Sequence, residues 1–279
     1  MSSLANAVIL GCGYLGRAVA DRWRRALTVT ATTRTPARIA ELEAIAQRAI
    51  VLNGNDEPAL RSLLQNQHIV LLCVGAPHKD AYAETYLETA KTLTAALKYA
   101  PTVRQVIYTS SYAVYGDRNG AWVDETTPVN PADRNGKILA ETEQVLLDAA
   151  HDSLKMCVFR LSGIYGPVRE LVKIFQHTVG TTQPGTGEEA SNWVHLDDIV
   201  GAIDVAQQQQ LQGIYNLTCD VPLSKRELLD RICVAHNLPK VSWDPSQTSV
   251  RPYNAKVSNQ KLKTVGYQFA YPAIPEAMF

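Results

Sequence analysis

Short runs of apolar and β-branched residues punctuate the first 160 positions of the chain: Ala7–Leu10, Leu27–Thr32, Ala49–Leu52, Ile69–Cys73, Val106–Thr109 and Met156–Arg160. Between most of them, apolar residues recur at helical spacing over Leu15–Arg25, Pro36–Gln47, Pro58–Leu64, Tyr82–Tyr99 and Lys137–Ala150. The short runs do not alternate polar with apolar, so both faces of each strand need cover, as in a parallel sheet between helix layers. Strand–helix alternation of this kind predicts an α/β fold with a doubly wound parallel sheet. Tyr115–Asn135, rich in Gly, Asn, Asp and Pro, breaks the rhythm and reads as a long loop over the sheet's carboxyl edge. After Arg160 the pattern loosens. Gly180–Ser191 reads as a loop, Asp197–Gln209 as a helix and Ile214–Leu217 as a strand. Ser224–His236 reads as a helix opened by a capping box, Ser224 followed three residues later by Glu227. Asn259–Tyr271 adds one short helix and an extended end. The expected partition is a dinucleotide-binding domain over 1–162 and a smaller lobe over 163–279, with 196–217 packing back on the first.

Composition narrows the function classes. A chain of 279 residues, 46% of them hydrophobic, can bury an apolar core without disulfides or a structural metal. Its 27 Lys+Arg balance 27 Asp+Glu, which leaves no electrostatic footprint for nucleic acid or an anionic membrane. Cys12, Cys73, Cys157, Cys219 and Cys233 are scattered and form no Cys-x-x-Cys pair, so they read as reduced thiols of a cytoplasmic protein. Met1–Leu10 lacks a basic stretch and enters directly into an apolar one, so no export leader is expected. Apolar runs such as Ile69–Val74 fall far short of the roughly 20 residues that span a bilayer. The expected partner is a small-molecule substrate.

The sharpest motif is Gly11-Cys-Gly13-Tyr14-Leu15-Gly16, between the first strand and the first helix. Gly11 allows the tight turn, Gly13 lets backbone approach a pyrophosphate, and Gly16 lets helix pack on strand. Tyr14 and Leu15 belong to the helix N-terminus, whose free N–H groups face the anion. A site selective for NAD places an acid on the ribose about 20 residues past the glycines. No Asp or Glu stands between Asp21 and Glu41; Thr33 and Arg34 take the place, offering a hydroxyl and a cation to a 2′-phosphate. The expected cofactor is therefore NADP(H), with NAD(H) the alternative and a solvated surface arginine the bland reading of Arg34. Arg17, just after the last glycine, is a second phosphate candidate.

Further segments carry a family resemblance. Val106-Ile-Tyr-Thr-Ser110-Ser111-Tyr-Ala-Val-Tyr115-Gly116 resembles the fifth strand and active-site serine of the extended short-chain dehydrogenases/reductases. Lys137-Ile-Leu-Ala-Glu141 resembles the start of their active-site helix, and Arg160-Leu-Ser-Gly-Ile-Tyr165-Gly166-Pro167 the segment after their sixth strand. Trp193-Val-His195-Leu-Asp197-Asp198 and Ile214-Tyr-Asn216 follow in family order. The chain is thus similar to the NAD-dependent epimerase/dehydratase family. The resemblance implies a Rossmann domain with a smaller C-terminal substrate lobe, in that family usually a homodimer. It also implies that Ser111 orients the substrate oxygen, that Lys137 holds the nicotinamide ribose, and that Cys73-Val74-Gly75 runs beside the cofactor. A plain turn after the fourth strand is the equal alternative for that last segment.

Three departures qualify the resemblance. The family's proton-transferring tyrosine stands four residues before the lysine, and here that position is Asp133. An aspartate is ionised at neutral pH unless burial raises its pKa strongly. Tyr165, Tyr112, Tyr115 and His195 are the candidate stand-ins, with aromatic packing the bland reading of Tyr165 and Tyr115. His195 with Asp197 and Asp198 lacks a further ligand cluster, so no metal is expected; Asp197 should cap a helix with His195 buried beneath it. Gly163 stands where nucleotide-sugar members carry Asn, and Tyr86 replaces another family Asn, which argues against a nucleotide sugar. The expected function is an oxidoreductase or epimerase acting on a carbonyl/hydroxyl compound. The alternative is a non-catalytic NAD(P)-binding redox sensor or assembly protein.

Overall fold

The computed structural model describes residues 4–249 and 253–279; Met1–Ser3, the start of the stretch read for a leader, lie outside them. In chain order the first elements are β1 (Asn6–Leu10), α1 (Tyr14–Trp23), β2 (Thr28–Thr33), α2 (Ile39–Glu43), β3 (Arg48–Val51), α3 (Glu57–Leu64) and β4 (Ile69–Leu72). There follow α4 (Thr89–Leu97), β5 (Gln105–Ser111), β6 (Asp117–Val123), α5 (Arg134–Asp148) and β7 (Lys155–Leu161). Then come β8 (Gly163–Tyr165), α6 (Leu171–Phe175), β9 (Thr182–Pro184), β10 (Ala190–Ser191), β11 (Trp193–His195) and α7 (Leu196–Gln209). The chain closes with β12 (Gly213–Leu217), β13 (Leu223–Ser224), α8 (Lys225–Ala235), β14 (Ser242–Asp244), β15 (Asn254–Val257) and α9 (Gln260–Thr264).

Seven strands form one sheet in the order β12-β7-β5-β4-β1-β2-β3. The pairings of β1 with β2 and β4, of β2 with β3 and of β4 with β5 are parallel, with Ala7 opposite both Val29 and Ile69. The order turns outward from β1 in both directions, the doubly wound α/β arrangement that the strand–helix alternation predicts. The continuous apolar runs explain it. Val8, Leu10, Val70, Leu72, Val106 and Tyr108 bury one side of the sheet against Leu60, Leu63 and Leu64 of α3 and Leu93 and Leu97 of α4. Among the described residues no helix is long and apolar enough to cross a membrane.

The chain divides into two compact units: residues 1–110, 134–159 and 200–214 form the first, and 111–133, 160–199 and 215–279 the second. The second unit is built from two-stranded ladders, β6 with β15, β8 with β11, β9 with β14 and β10 with β13. Its main core gathers Leu228, Leu229 and Ile232 of α8 with Tyr165, Leu171 and Trp193. Ser224 caps α8 as the capping box predicts, its hydroxyl accepting from the Glu227 N–H at 3.1 Å.

Four local expectations change. Tyr115–Asn135 is not all loop: Asp117–Val123 pairs in parallel with Asn254–Val257. That partner lies more than a hundred residues away, so local composition carries no trace of it. The helix expected over Pro36–Gln47 ends at Glu43, because Gln47 is drawn to the sheet edge. Its amide oxygen accepts from the Val29 N–H at 2.7 Å and its Nε2 donates to the Arg24 carbonyl at 3.2 Å. The helix over Tyr82–Tyr99 includes a π-helical turn at Ala83–Glu88. There Asn55 Nδ2 donates to the Glu84 carbonyl at 3.2 Å, and Thr89 Oγ1 donates to Asn55 Oδ1 at 3.0 Å, competing for the helix's own ladder. Finally, α7 begins at Leu196, and it is His195 rather than Asp197 that caps it, its Nδ1 accepting from the Asp197 N–H at 3.2 Å.

Candidate functional site

The glycine loop belongs to the first unit, and its three glycines are there for different reasons. Gly11 has φ +89°, and a Cβ on it would lie 2.7 Å from Val74 Cα. A Cβ on Gly16 would lie 2.8 Å from the Gly11 carbonyl oxygen and 3.1 Å from Cys73 Sγ. At Gly13 a Cβ would meet nothing within 4 Å. Two of the three are therefore demanded by the protein's own packing, and the third leaves open space above the loop. No side chain caps α1 at Gly13, and the first N–H groups of a helix have no partner within it. The loop is held from behind by Thr32, a residue the motif reading passed over. Its Oγ1 accepts from the Gly11 N–H at 3.2 Å and its carbonyl from the Cys12 N–H at 2.9 Å.

Cys73 and Val74 press against the loop from the end of β4, the Cys73 thiol donating to the Gly11 carbonyl at 3.2 Å. Gly75 is exposed, and a Cβ on it would also meet nothing within 4 Å. Tyr86, on the π-helical turn, accepts from the Ala76 N–H at 3.3 Å and so fixes this segment. Burial raises the pKa of both neighbouring thiols, Cys12 to about 11, so neither is a thiolate at neutral pH.

At the end of β2, Thr33 is buried and its hydroxyl accepts from the Thr35 N–H at 3.1 Å. Arg34 is exposed and makes no ion pair among the described residues. Two more arginines flank the loop. Arg17 of α1 and Arg38 both contact Glu41 Oε1, Arg38 at 3.1 Å. Arg38 is a cation the motif reading did not weigh.

Ser111 and Lys137 belong to different units. Lys137 is exposed on α5, and Asp133 is exposed immediately before that helix. Ser110 and Glu143 are both buried in the first unit, the hydroxyl donating to Glu143 Oε1 at 2.6 Å. Glu143 escaped the motif reading because it lies a turn and a half past the lysine, on the buried face it shares with Thr142 and Leu146.

In the second unit a cavity of about 490 Å³ is lined by Ser111, Tyr112, Ser162, Gly163, Trp193, Lys225 and neighbours. Ser111 ends β5; its Oγ accepts from the Ala113 N–H at 3.2 Å, which leaves its proton free to be donated. Ser162 is buried and its hydroxyl has no hydrogen-bond partner. Gly163 pairs with Trp193 across β8 and β11, and a Cβ there would stand 2.8 Å from the indole ring. The indole occupies the room that any larger side chain at 163 would need.

The four stand-ins for the missing tyrosine separate cleanly. Tyr112 lines the cavity beside Ser111. The other three face the protein. The Tyr115 hydroxyl donates to Asn216 Oδ1 at 2.8 Å, with the Arg160 guanidinium 4.7 Å from the ring centroid. Tyr165 is buried, its hydroxyl unpartnered and its pKa pushed up by burial. His195 packs against the rings of Tyr165 and Tyr271, at 5.1 and 3.9 Å between centroids, and burial lowers its pKa, which favours the neutral ring. Asp198 serves the fold: its carboxylate accepts from the Ala270 and Tyr271 N–H groups at 2.7 and 3.0 Å.

Comparison with known proteins agrees with this architecture. The family model described as NAD dependent epimerase/dehydratase family matches residues 7–218. Protein YeeZ of Escherichia coli (strain K12) is 31% identical over 226 residues, 77% of this chain and 77% of that protein. Among solved structures, a functionally unknown conserved protein from Silicibacter pomeroyi DSS superposes with a TM-score of 0.77 at 25% identity, covering 96% of this chain and 95% of that one. A mutant UDP-glucuronic acid 4-epimerase from Bacillus cereus, in complex with UDP-4-deoxy-4-fluoro-glucuronic acid and NAD, gives 0.81 at 18% identity, covering 98% and 95%. At that identity the likeness is one of fold.

Proposed function

This chain belongs to the NAD-dependent epimerase/dehydratase family, and from that premise we propose that it is a nicotinamide-dinucleotide enzyme, an oxidoreductase or epimerase on a carbonyl/hydroxyl compound, selective for NADP(H). The observation that carries the reading is the open space above Gly13, beside two glycines that the packing itself requires. A ligand that fills this space accounts for a third glycine there, and the N-terminus of α1, which has no side-chain cap, favours an anionic one. Gly11, Gly13, Tyr14, Leu15 and Gly16 hold the pyrophosphate, Cys73, Val74 and Gly75 flank the ribose, and Lys137 binds its hydroxyls. Arg34 and the β2 end at Thr33 face the 2′-phosphate. The dinucleotide, when bound, supplies hydride exchange. Ser111 donates its hydroxyl proton to the substrate oxygen. Tyr112, the one stand-in that lines the cavity, supplies the phenol that Asp133 cannot.

The test is a fluorescence titration of the purified protein with NADPH and, separately, NADH. The expected result is at least about tenfold tighter binding of NADPH, near 1.4 kcal/mol. Tighter NADH binding overturns the reading of Arg34, and binding of neither overturns the dinucleotide reading as a whole. One observation favours a second reading, a non-catalytic dinucleotide-binding sensor or assembly protein: Asp133 in the tyrosine's position. Turnover that appears only in Asp133→Tyr, and not in the native chain, would support it.

A further inference from the structure

Beyond the glycine loop, the first unit carries an arrangement of charge that the motif reading did not anticipate. Arg17 and Arg38 come from different elements, one from the first turn of α1 and the other from the turn after β2, yet both close on a single oxygen, Glu41 Oε1. The cluster stands at the loop itself, since Arg17 directly follows Gly16, the last of the three glycines, and its guanidinium reaches Glu41. Arg34, next to the end of β2, adds a third cation with no ion pair among the described residues. Two guanidinium groups thus share one carboxylate, which with Arg34 leaves an excess of positive charge along the segment after the second strand. The two arginines hold Glu41 ionised, Arg38 the more strongly.

We propose that Glu41 is an internal stand-in for the 2′-phosphate: in the free protein its carboxylate holds Arg17 and Arg38 in place, and the incoming phosphate takes them over and displaces it. This rests on the dinucleotide reading above and adds a residue that sets selectivity. The chemistry matches. A phosphomonoester carries about −1.5 to −2 charge at neutral pH, with three acceptor oxygens for forked guanidinium donors, whereas Glu41 offers one charge and lends one oxygen. A ribose lacking the phosphate has nothing to exchange for the carboxylate. Glu41 is 37% and Arg17 48% exposed on the side chain, so these are screened pairs that break easily. Glu41 therefore tunes the site and does not close it.

The experiment is a titration with NADPH and with NADH of the native chain, Glu41→Gln, Arg38→Ala and the double variant, each first checked for an unchanged thermal midpoint. Glutamine keeps the size and the acceptor oxygen and removes the competing charge. Glu41→Gln should bind NADPH about 3- to 10-fold tighter and NADH within about twofold of the native chain, by the energies of partly exposed pairs. Arg38→Ala should weaken NADPH alone. In the Arg38→Ala background, Glu41→Gln should give a smaller gain, because the two residues share one interaction. An unchanged NADPH/NADH ratio in Glu41→Gln, or an equal shift for both, overturns the role of Glu41 and leaves the dinucleotide reading standing. Failure of the native chain to bind either nucleotide overturns both.

Discussion

The contrast between Gly13 and Gly16 makes the sharpest test of the loop, because the same substitution should fail in opposite ways three residues apart. An alanine methyl at 16 would sit 2.8 Å from the Gly11 carbonyl oxygen, 3.1 Å from Cys73 Sγ and 3.2 Å from Ile9 Cγ2. The first of these is backbone inside a hydrogen-bonded turn, so it yields only by moving the loop. Overpacking of this kind costs about 1–3 kcal/mol, against which alanine recovers up to about 1 kcal/mol of helix propensity. At 13 the methyl meets nothing within 4 Å, and φ is −85°, outside the left-handed region. Losing glycine at a helix cap and restricting the unfolded chain roughly offset each other, so Gly13→Ala should hold stability within about 1 kcal/mol. Its effect should fall on the ligand instead, since a methyl now projects where the phosphates approach; a loss of about tenfold or more corresponds to about 1.4 kcal/mol. Urea unfolding and a fluorescence titration on both variants separate the two. Gly13→Ala binding NADPH as the native chain does would refute the reasoning, and so would a stability loss above about 2 kcal/mol.

Three further outcomes follow from buried polar groups. Tyr115→Phe leaves Asn216 Oδ1 without its donor and should cost about 1–3 kcal/mol in urea unfolding; a cost near zero would mean that the 2.8 Å bond contributes nothing. Ser162→Ala removes a buried hydroxyl that has no partner in the protein, so it should raise the thermal midpoint slightly while weakening substrate binding in the cavity. A lowered midpoint would show the hydroxyl to be satisfied. Burial holds the His195 pKa below its usual value near 6.5, so the unfolded chain takes up the proton first as pH falls. Its contribution to stability is therefore full above about pH 6.5 and declines as pH drops below that value. His195→Asn, which keeps an acceptor for the Asp197 N–H, should flatten that part of the stability–pH profile, and an unchanged slope would assign it to other groups.

The sheet was legible because its information is local. Runs such as Val8–Leu10 and Ile69–Leu72 are apolar on both faces, and that alone requires helices above and below. The glycine loop was legible for a similar reason, a fixed spacing at a strand–helix junction. The second unit was not, since its short ladders join residues far apart in the chain, as Asp117–Val123 and Asn254–Val257 do. The same limit hid Glu41 and Thr32, whose roles arise from where α1, β2 and α2 bring their ends. Gly163 could be seen to depart from the family pattern, but its cause, the Trp193 ring lying over it, needed the pairing of β8 with β11.

The π-helical turn at Ala83–Glu88 carries one residue more than an ordinary helix needs over that stretch. A helix that closes each bond one residue later than normal holds, in effect, one surplus amino acid. Deleting a single residue within the turn would let it rewind as ordinary α-helix, continuous with Thr89–Leu97, and the chain before it would keep its facing. The same deletion inside Thr89–Leu97 would turn everything before the cut by about 100° around the axis. Tyr82 and Tyr86, whose rings meet edge to face at 5.0 Å, would then swing off their present face, and the Ala76 N–H would lose the phenol that receives it. The position of a one-codon deletion, and not its size, decides whether the wall beside Gly75 keeps its support.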